Sequence, residues 1–184
     1  MKHEIILSGF GGQGVMLMGQ LLTQAGLMEG KNVSWIPSYG PEMRGGTAYC
    51  SVIVSDDKVG SPVVMEPTVL VAMNLPSLHK FEHALVSGGT LVVNESLSPD
   101  QSERKDIRQF AVPMNDLADE MGNSKVLNFV GLGAILAAIP VVSNEALFNA
   151  AGKIFGAKFS EKPELLKLNQ DAFQKGYDYV KGLQ

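Results

Sequence analysis

The stretch EIILSGFGGQGVMLMGQ, Glu4 to Gln20, joins a short apolar, β-branched run to a segment with helical spacing, and four glycines in six residues separate the two. A run such as EIILS suits a strand covered on both faces. Leu17, Leu21, Leu22 and Ala25 then recur as one face of a helix over Val15 to Glu29. Between them Gly9, Gly11 and Gly14 satisfy G-x-G-x-x-G. In that pattern the first glycine permits a tight turn, the second lets a phosphate approach the backbone, and the third lets helix meet strand. Free N–H groups and the positive end of the helix dipole make such a turn favourable to phosphate or carboxylate.

Working outward, Gly30 to Asn32 close the helix and VSWI, Val33 to Ile36, forms a second strand expected to end at Pro37, which has no N–H for a ladder. The loop SYGPEMRGG, Ser38 to Gly46, follows it. Ala48 to Ser55 alternates and ends in a polar turn at Asp56 to Lys58, as in a hairpin. Val69 to Met73 and Thr90 to Val93 read as buried strands, Phe110 to Pro113 as a less regular one, and Pro76 to Val86 as a helix. Two or three more helices are expected, over Lys125 to Ile139, Asn144 to Phe155 and Pro163 to Lys181, with Ser143 as the N-cap of the second. This order predicts one domain over residues 1–184, a three-layer α/β/α fold with a mixed, mostly parallel, Rossmann-like sheet. Both glycine loops then start at the carboxyl ends of strands, where the crevice of such a sheet lies.

With 45% apolar and 18% charged residues and a net charge of −4, the chain reads as an ordinary globular protein with no basic surface for nucleic acid. The N-terminus enters a strand directly, without the features of a signal peptide, so a cytoplasmic location is the default expectation. The longest apolar segment, Val126 to Val142, is interrupted by Asn128, Gly131, Gly133 and Pro140; it reads as a buried helix, and no membrane partner is expected. Cys50, the only cysteine, lies in an apolar run and reads as a small buried hydrophobe. One thiol cannot make an internal disulfide or ligate an iron–sulfur cluster.

A dinucleotide site needs an acid near the end of the second strand to hold the ribose hydroxyls, and this chain offers Ser38 and Tyr39 there. Glu29 stands before the strand and cannot serve. No G-x-x-x-x-G-K-[ST] run is present either. In the second loop Arg44 stands between Met43 and Gly45-Gly46, and its planar fork suits a carboxylate or phosphate. The competing reading is a surface loop in which Arg44 pairs with Glu42 or with the sheet edge. His79, Glu82 and His83 in HKFEH match an inverted zinc-protease motif, yet they share the face opposite Leu78, Phe81 and Leu85, as on a solvated helix. Met16, Met18 and Met43 near the loops would favour an interface if exposed, although core packing suits the first two. No G-x-S-x-G elbow occurs, so the sequence suggests binding more than catalysis.

GFGGQGV at Gly9 to Val15 and SYGPEMRGG at Ser38 to Gly46, in this order and spacing, resemble the gamma subunit of 2-oxoacid:ferredoxin oxidoreductases, a domain found fused in some pyruvate enzymes. The resemblance continues at Asn74, at NFVGLGA (Asn128 to Ala134), at VSNEAL (Val142 to Leu147) and at NQDAFQKGY (Asn169 to Tyr177), nearly the whole chain. It implies an assembly that decarboxylates a 2-oxoacid such as pyruvate, ketoisovalerate or 2-oxoglutarate, forms acyl-coenzyme A and reduces ferredoxin. Thiamine diphosphate, magnesium and [4Fe-4S] clusters would sit in alpha, beta and delta partner subunits, and none of these cofactors in this chain. The isolated chain would be inactive and able to self-associate. On this reading Gly9, Gly11, Gly12, Gln13 and Gly14, with Ser38, Tyr39, Gly40, Arg44, Gly45 and Gly46, lie at the coenzyme A path or a partner interface. A stand-alone NAD or FAD oxidoreductase and a purely structural interaction domain are the alternatives.

Overall fold

The apolar runs become the strands of one mixed sheet in a computed structural model that describes residues 1–38 and 47–184. Six strands, β1 (Lys2–Phe10), β2 (Asn32–Ser38), β3 (Thr47–Ser55), β4 (Val69–Ala72), β5 (Thr90–Asn94) and β6 (Arg108–Val112), lie in the order β2-β3-β1-β4-β5-β6. β3 pairs antiparallel with both β1 and β2, while β1, β4, β5 and β6 pair in parallel. Five strands therefore end on the same edge. The helices are α1 (Val15–Met28), α2 (Leu75–Phe81), α3 (Met114–Glu120), α4 (Leu127–Ala138), α5 (Asn144–Glu161) and α6 (Pro163–Leu183).

Alternation along the strands sorts the core into two layers. Ile5, Leu7, Val52, Val71 and Val92 point to the face covered by α1, α3, α4, α5 and α6. Ile6, Ile53, Leu70, Leu91 and Val93 point to the other, covered by α2 and the 3-10 turn after it through Leu78 and Leu85. All twelve residues of α4 are buried, as expected of the largely apolar segment Val126 to Val142. No helix among the described residues is long and apolar enough to cross a membrane.

Three details differ from the sequence reading. The ladder does not stop at Pro37: β2 runs on to Ser38, with Pro37 opposite Cys50. β2 is an edge strand bonded only to β3, so a missing N–H is tolerated there. The β1-α1-β2 unit also holds a third strand, since β3 folds back between β1 and β2. Helix α3, directly after Pro113, was not foreseen; its seven residues are too short for periodicity to register.

Candidate functional site

At the carboxyl edge of the sheet, β1 delivers the glycine turn and β2 delivers Ser38. Ser8 and Ser38 flank Tyr49 of β3 on either side, two strand spacings or about 10 Å apart. The two loops singled out in the sequence thus start side by side. Tyr39, Gly40, Arg44, Gly45 and Gly46, with Glu42 and Met43, lie outside the described residues.

The glycines of the first loop divide the work. Gly12 and Gly14 have φ of +99° and +78°, in the left-handed region that L residues avoid. Gly14 is also the N-cap of α1, which has no side-chain cap and no acid in its first turn. Gly11 and Gly12 are exposed, so the turn that leads into the helix is open to solvent. Gly9 is different: a Cβ there would lie 2.7 Å from Gln13 Oε1 and 2.9 Å from Met73 Cβ. Its missing side chain admits the neighbouring strand, not a phosphate.

Gln13 was expected to face a ligand; the structure turns its amide inward. Its Oε1 accepts from Phe10 N at 2.6 Å and from Asn74 Nδ2 at 2.9 Å, while Nε2 donates to Met73 O at 3.1 Å. Asn74 Oδ1 in turn accepts from Ser77 N and caps α2. Ser77 Oγ accepts from Ser8 Oγ at 3.0 Å. On the far side Asn94 Nδ2 donates to Met73 O and to Asn115 Oδ1, and its Oδ1 accepts from Met114 N at the start of α3. A continuous set of amides and hydroxyls therefore ties the ends of β1, β4 and β5 together beneath the turn, each bond contributing about 1 kcal/mol. Ser8, Ser77, Asn94 and Asn115 escaped the sequence reading; Ser8 and Asn94 could have been found as polar residues closing apolar strand runs, whereas Ser77 and Asn115 lie in α2 and α3.

Asn128 of α4 packs against the turn. A Cβ on Gly14 would fall 2.8 Å from Asn128 Cβ, so glycine is required there for space as well as for φ. Gly12, Gln13, Gly14, Ser124, Lys125, Leu127 and Asn128 enclose a hollow of about 150 Å3. Its donors are backbone N–H groups, the Lys125 ammonium and an amide, a set suited to an anion.

Other singled-out residues fall elsewhere. His79 and His83 are exposed and Glu82 half-buried, while Leu78 and Leu85 are buried, so the HKFEH segment presents the solvated face expected of it. Met18 is fully buried and Met16 half-buried, which makes them packing residues. Burial pushes the Cys50 thiol up to about 12, against a small opposing effect of the Trp35 N–H. That indole N–H meets only the soft sulfur and has no acceptor of regular geometry. Cys50 Sγ donates to Val15 O. A neutral, occluded thiol does not fit a cluster ligand.

A profile of the pyruvate ferredoxin/flavodoxin oxidoreductase family matches residues 4–179. Ketoisovalerate oxidoreductase subunit VorA of Methanothermobacter marburgensis is 38% identical over 178 residues, covering 97% of this chain and 36% of that protein. The chain thus spans about a third of the length of that curated relative. The solved gamma subunit of keto/oxoacid ferredoxin oxidoreductase from Geobacter sulfurreducens is 31% identical with a TM-score of 0.81, over 98% of this chain and 99% of that one. The structure of 2-oxoglutarate:ferredoxin oxidoreductase from Magnetococcus marinus, with 2-oxoglutarate, coenzyme A and succinyl-CoA bound, has a TM-score of 0.90 at 24% identity, over 100% of this chain and 32% of that one.

Proposed function

Because the chain belongs to the pyruvate ferredoxin/flavodoxin oxidoreductase family, we propose that it is the gamma subunit of a multi-subunit 2-oxoacid:ferredoxin oxidoreductase. The observation that carries this is the family match over residues 4–179, which takes in both the glycine turn and the stretch Ser38 to Gly46. In this role the chain, acting as one unit over its 184 residues, supports assembly and lines part of the coenzyme A path. Alpha, beta and delta subunits hold thiamine diphosphate, magnesium and [4Fe-4S] clusters, which supply decarboxylation and electron transfer. A single buried thiol leaves this chain unsuited to a cluster. Its relatives are oxidoreductase subunits, which favours this reading over a free-standing NAD or FAD enzyme.

Gly11, Gly12 and Gly14 offer backbone donors, Gly9 and Gln13 hold the turn in place, and Arg44 of the stretch Ser38 to Gly46 serves as the anion-binding side chain. The test is co-purification with the partner subunits, then coenzyme A-dependent ferredoxin reduction with pyruvate, ketoisovalerate and 2-oxoglutarate. Turnover with at least one 2-oxoacid is expected, and Arg44→Ala should raise the apparent coenzyme A requirement or loosen assembly. A chain that captures no partner, or a complex that turns over equally well without it, defeats the proposal.

A further inference from the structure

Strand β2 ends the sheet on one side, and among the described residues only β3 bonds to it. A free edge is usually guarded by charge, by proline or by a covering segment. The opposite edge is guarded in this way: β6 opens with the exposed Arg108, and Gln109 accepts from Ser102 N and donates to Gln101, which ties the segment after β5 to the strand. β2, NVSWIPS, holds no charged residue, and Pro37 near its end removes a single donor. Lys31, just before it, pairs with Glu29 at 3.6 Å.

Both faces beside this edge are open as well. On one, Trp35 joins Gln20, Thr23, Gln24 and Leu27 of α1 and Ile154 of α5 around a groove of about 350 Å3 with no charged side chain in its lining. Leu27 and Ile154 are exposed. Gln24 Nε2 is buried and has no acceptor among the described residues, which costs free energy until the amide turns over and meets one. On the other face α2 packs over β1 and β4, and Ile36 of β2 stays exposed between the half-buried Ser34 and Ser38. An uncharged edge of this kind fits one occupant in particular, its own copy. Each copy carries a net charge of −4, so two copies repel, and a face without charge meets itself with no like charges opposed. An amide both donates and accepts, so Gln20 and Gln24 of one copy complement the same residues of the other, as a two-fold contact requires.

We propose that two copies of this chain join through β2 about a two-fold axis perpendicular to the sheet, the two strands pairing antiparallel so that two six-stranded sheets become one. That axis puts the two Trp35 grooves on one face of the joined sheet and the two Ile36 side chains on the other. The test measures the mass of the full chain by sedimentation equilibrium over a range of concentrations, with hydrogen exchange read at Asn32 to Ser38. A reversible dimer is expected, with exchange along β2 slowing as it forms. Ile36→Lys, at an exposed position, sets like charges on both strands and should raise the dimer dissociation constant about a hundredfold. An equal mixture of Ile36→Lys and Ile36→Glu should recover the dimer, and Met65→Lys, at an exposed position outside β2, should leave it unchanged. The contact is overturned if the chain is a monomer at every concentration, if a dimer forms without slowed exchange in β2, if folded Ile36→Lys dimerises as wild type does, or if Met65→Lys weakens the dimer as much. A β2 protected only when the oxidoreductase partner subunits are added would also overturn it and assign the edge to them. Partner capture and turnover are read separately, so failure of the contact leaves the oxidoreductase reading in place.

Discussion

Gly12 and Gly14 stand two residues apart in one turn, both with positive φ, yet a side chain would meet different surroundings at each. At Gly12 a Cβ would enter open space, whereas at Gly14 it would press on Asn128. An alanine in the left-handed region costs about 1 kcal/mol from backbone strain alone. Overpacking against a buried neighbour adds about 2 kcal/mol more. Gly12→Ala should therefore lower stability by about 1 kcal/mol and Gly14→Ala by about 3 kcal/mol, read from urea midpoints. Equal losses would show that Asn128 does not constrain the turn. At this scale the sequence located the glycine turn but gave its tight bend to Gly9, whereas positive φ falls on Gly12 and Gly14, and it did not show the inward roles of Gly9 and Gln13. Their roles depend on Met73 and Asn74, some sixty positions away, as in the bond from Gln13 Nε2 to Met73 O, and no local pattern encodes such a partner.

Helices α4 and α6 meet through glycine on both sides. A Cβ on Gly133 would collide with the Phe173 carbonyl oxygen, and one on Gly176 with the Val130 carbonyl oxygen. Backbone atoms cannot swing away as a side chain can, so the helices would have to separate. Glycine in a helix interior normally costs about 1 kcal/mol relative to alanine, which makes its use here a packing requirement. Gly176→Ala is accordingly expected to destabilise by on the order of 3 kcal/mol. Gly152→Ala, on α5 with nothing within 4 Å of the added methyl, should stabilise by about 0.5–1 kcal/mol. Thermal melts of the two variants should move in opposite directions, and a shared direction would refute the account. Elements with long, one-signed patterns, such as α4 and the strands β1, β4 and β5, were legible from the sequence. Helix α3 and the insertion of β3 between β1 and β2 were not, the first for its length and the second because pairing is decided by distant segments.

For the molecule as a whole, acid sensitivity joins the sheet to its periphery. His3, on β1 with 6% exposure, is held below its usual 6.5 by burial first and by Lys31 and the N-terminal ammonium next. Glu29, at the end of α1, keeps its carboxyl below the usual range, despite burial, by accepting from Ser143 N of the α4–α5 connection at 2.7 Å. Asp56 is lowered by the N-terminal ammonium, and Asp106 is brought to about 2 by Arg104, whose guanidinium also bonds the carbonyls of Glu82 and Leu85. In each case the unfolded chain binds the proton more readily than the fold, so stability rises with pH through the window between the two pKa values. The His3 contribution is complete above about 6.5 and is lost as pH falls below it. The carboxylate contributions are complete above about 4 and are lost below that, with Asp106 the last to go at about 2. Denaturant midpoints measured from pH 8 down to 3 should hold level to about 6.5, decline gently to about 4 and then fall more steeply. His3→Gln, which cannot titrate, should flatten the first decline and leave the second in place. A wild-type profile that stays level down to pH 4 would mean that His3 is protonated as easily in the sheet as in water, contrary to its burial.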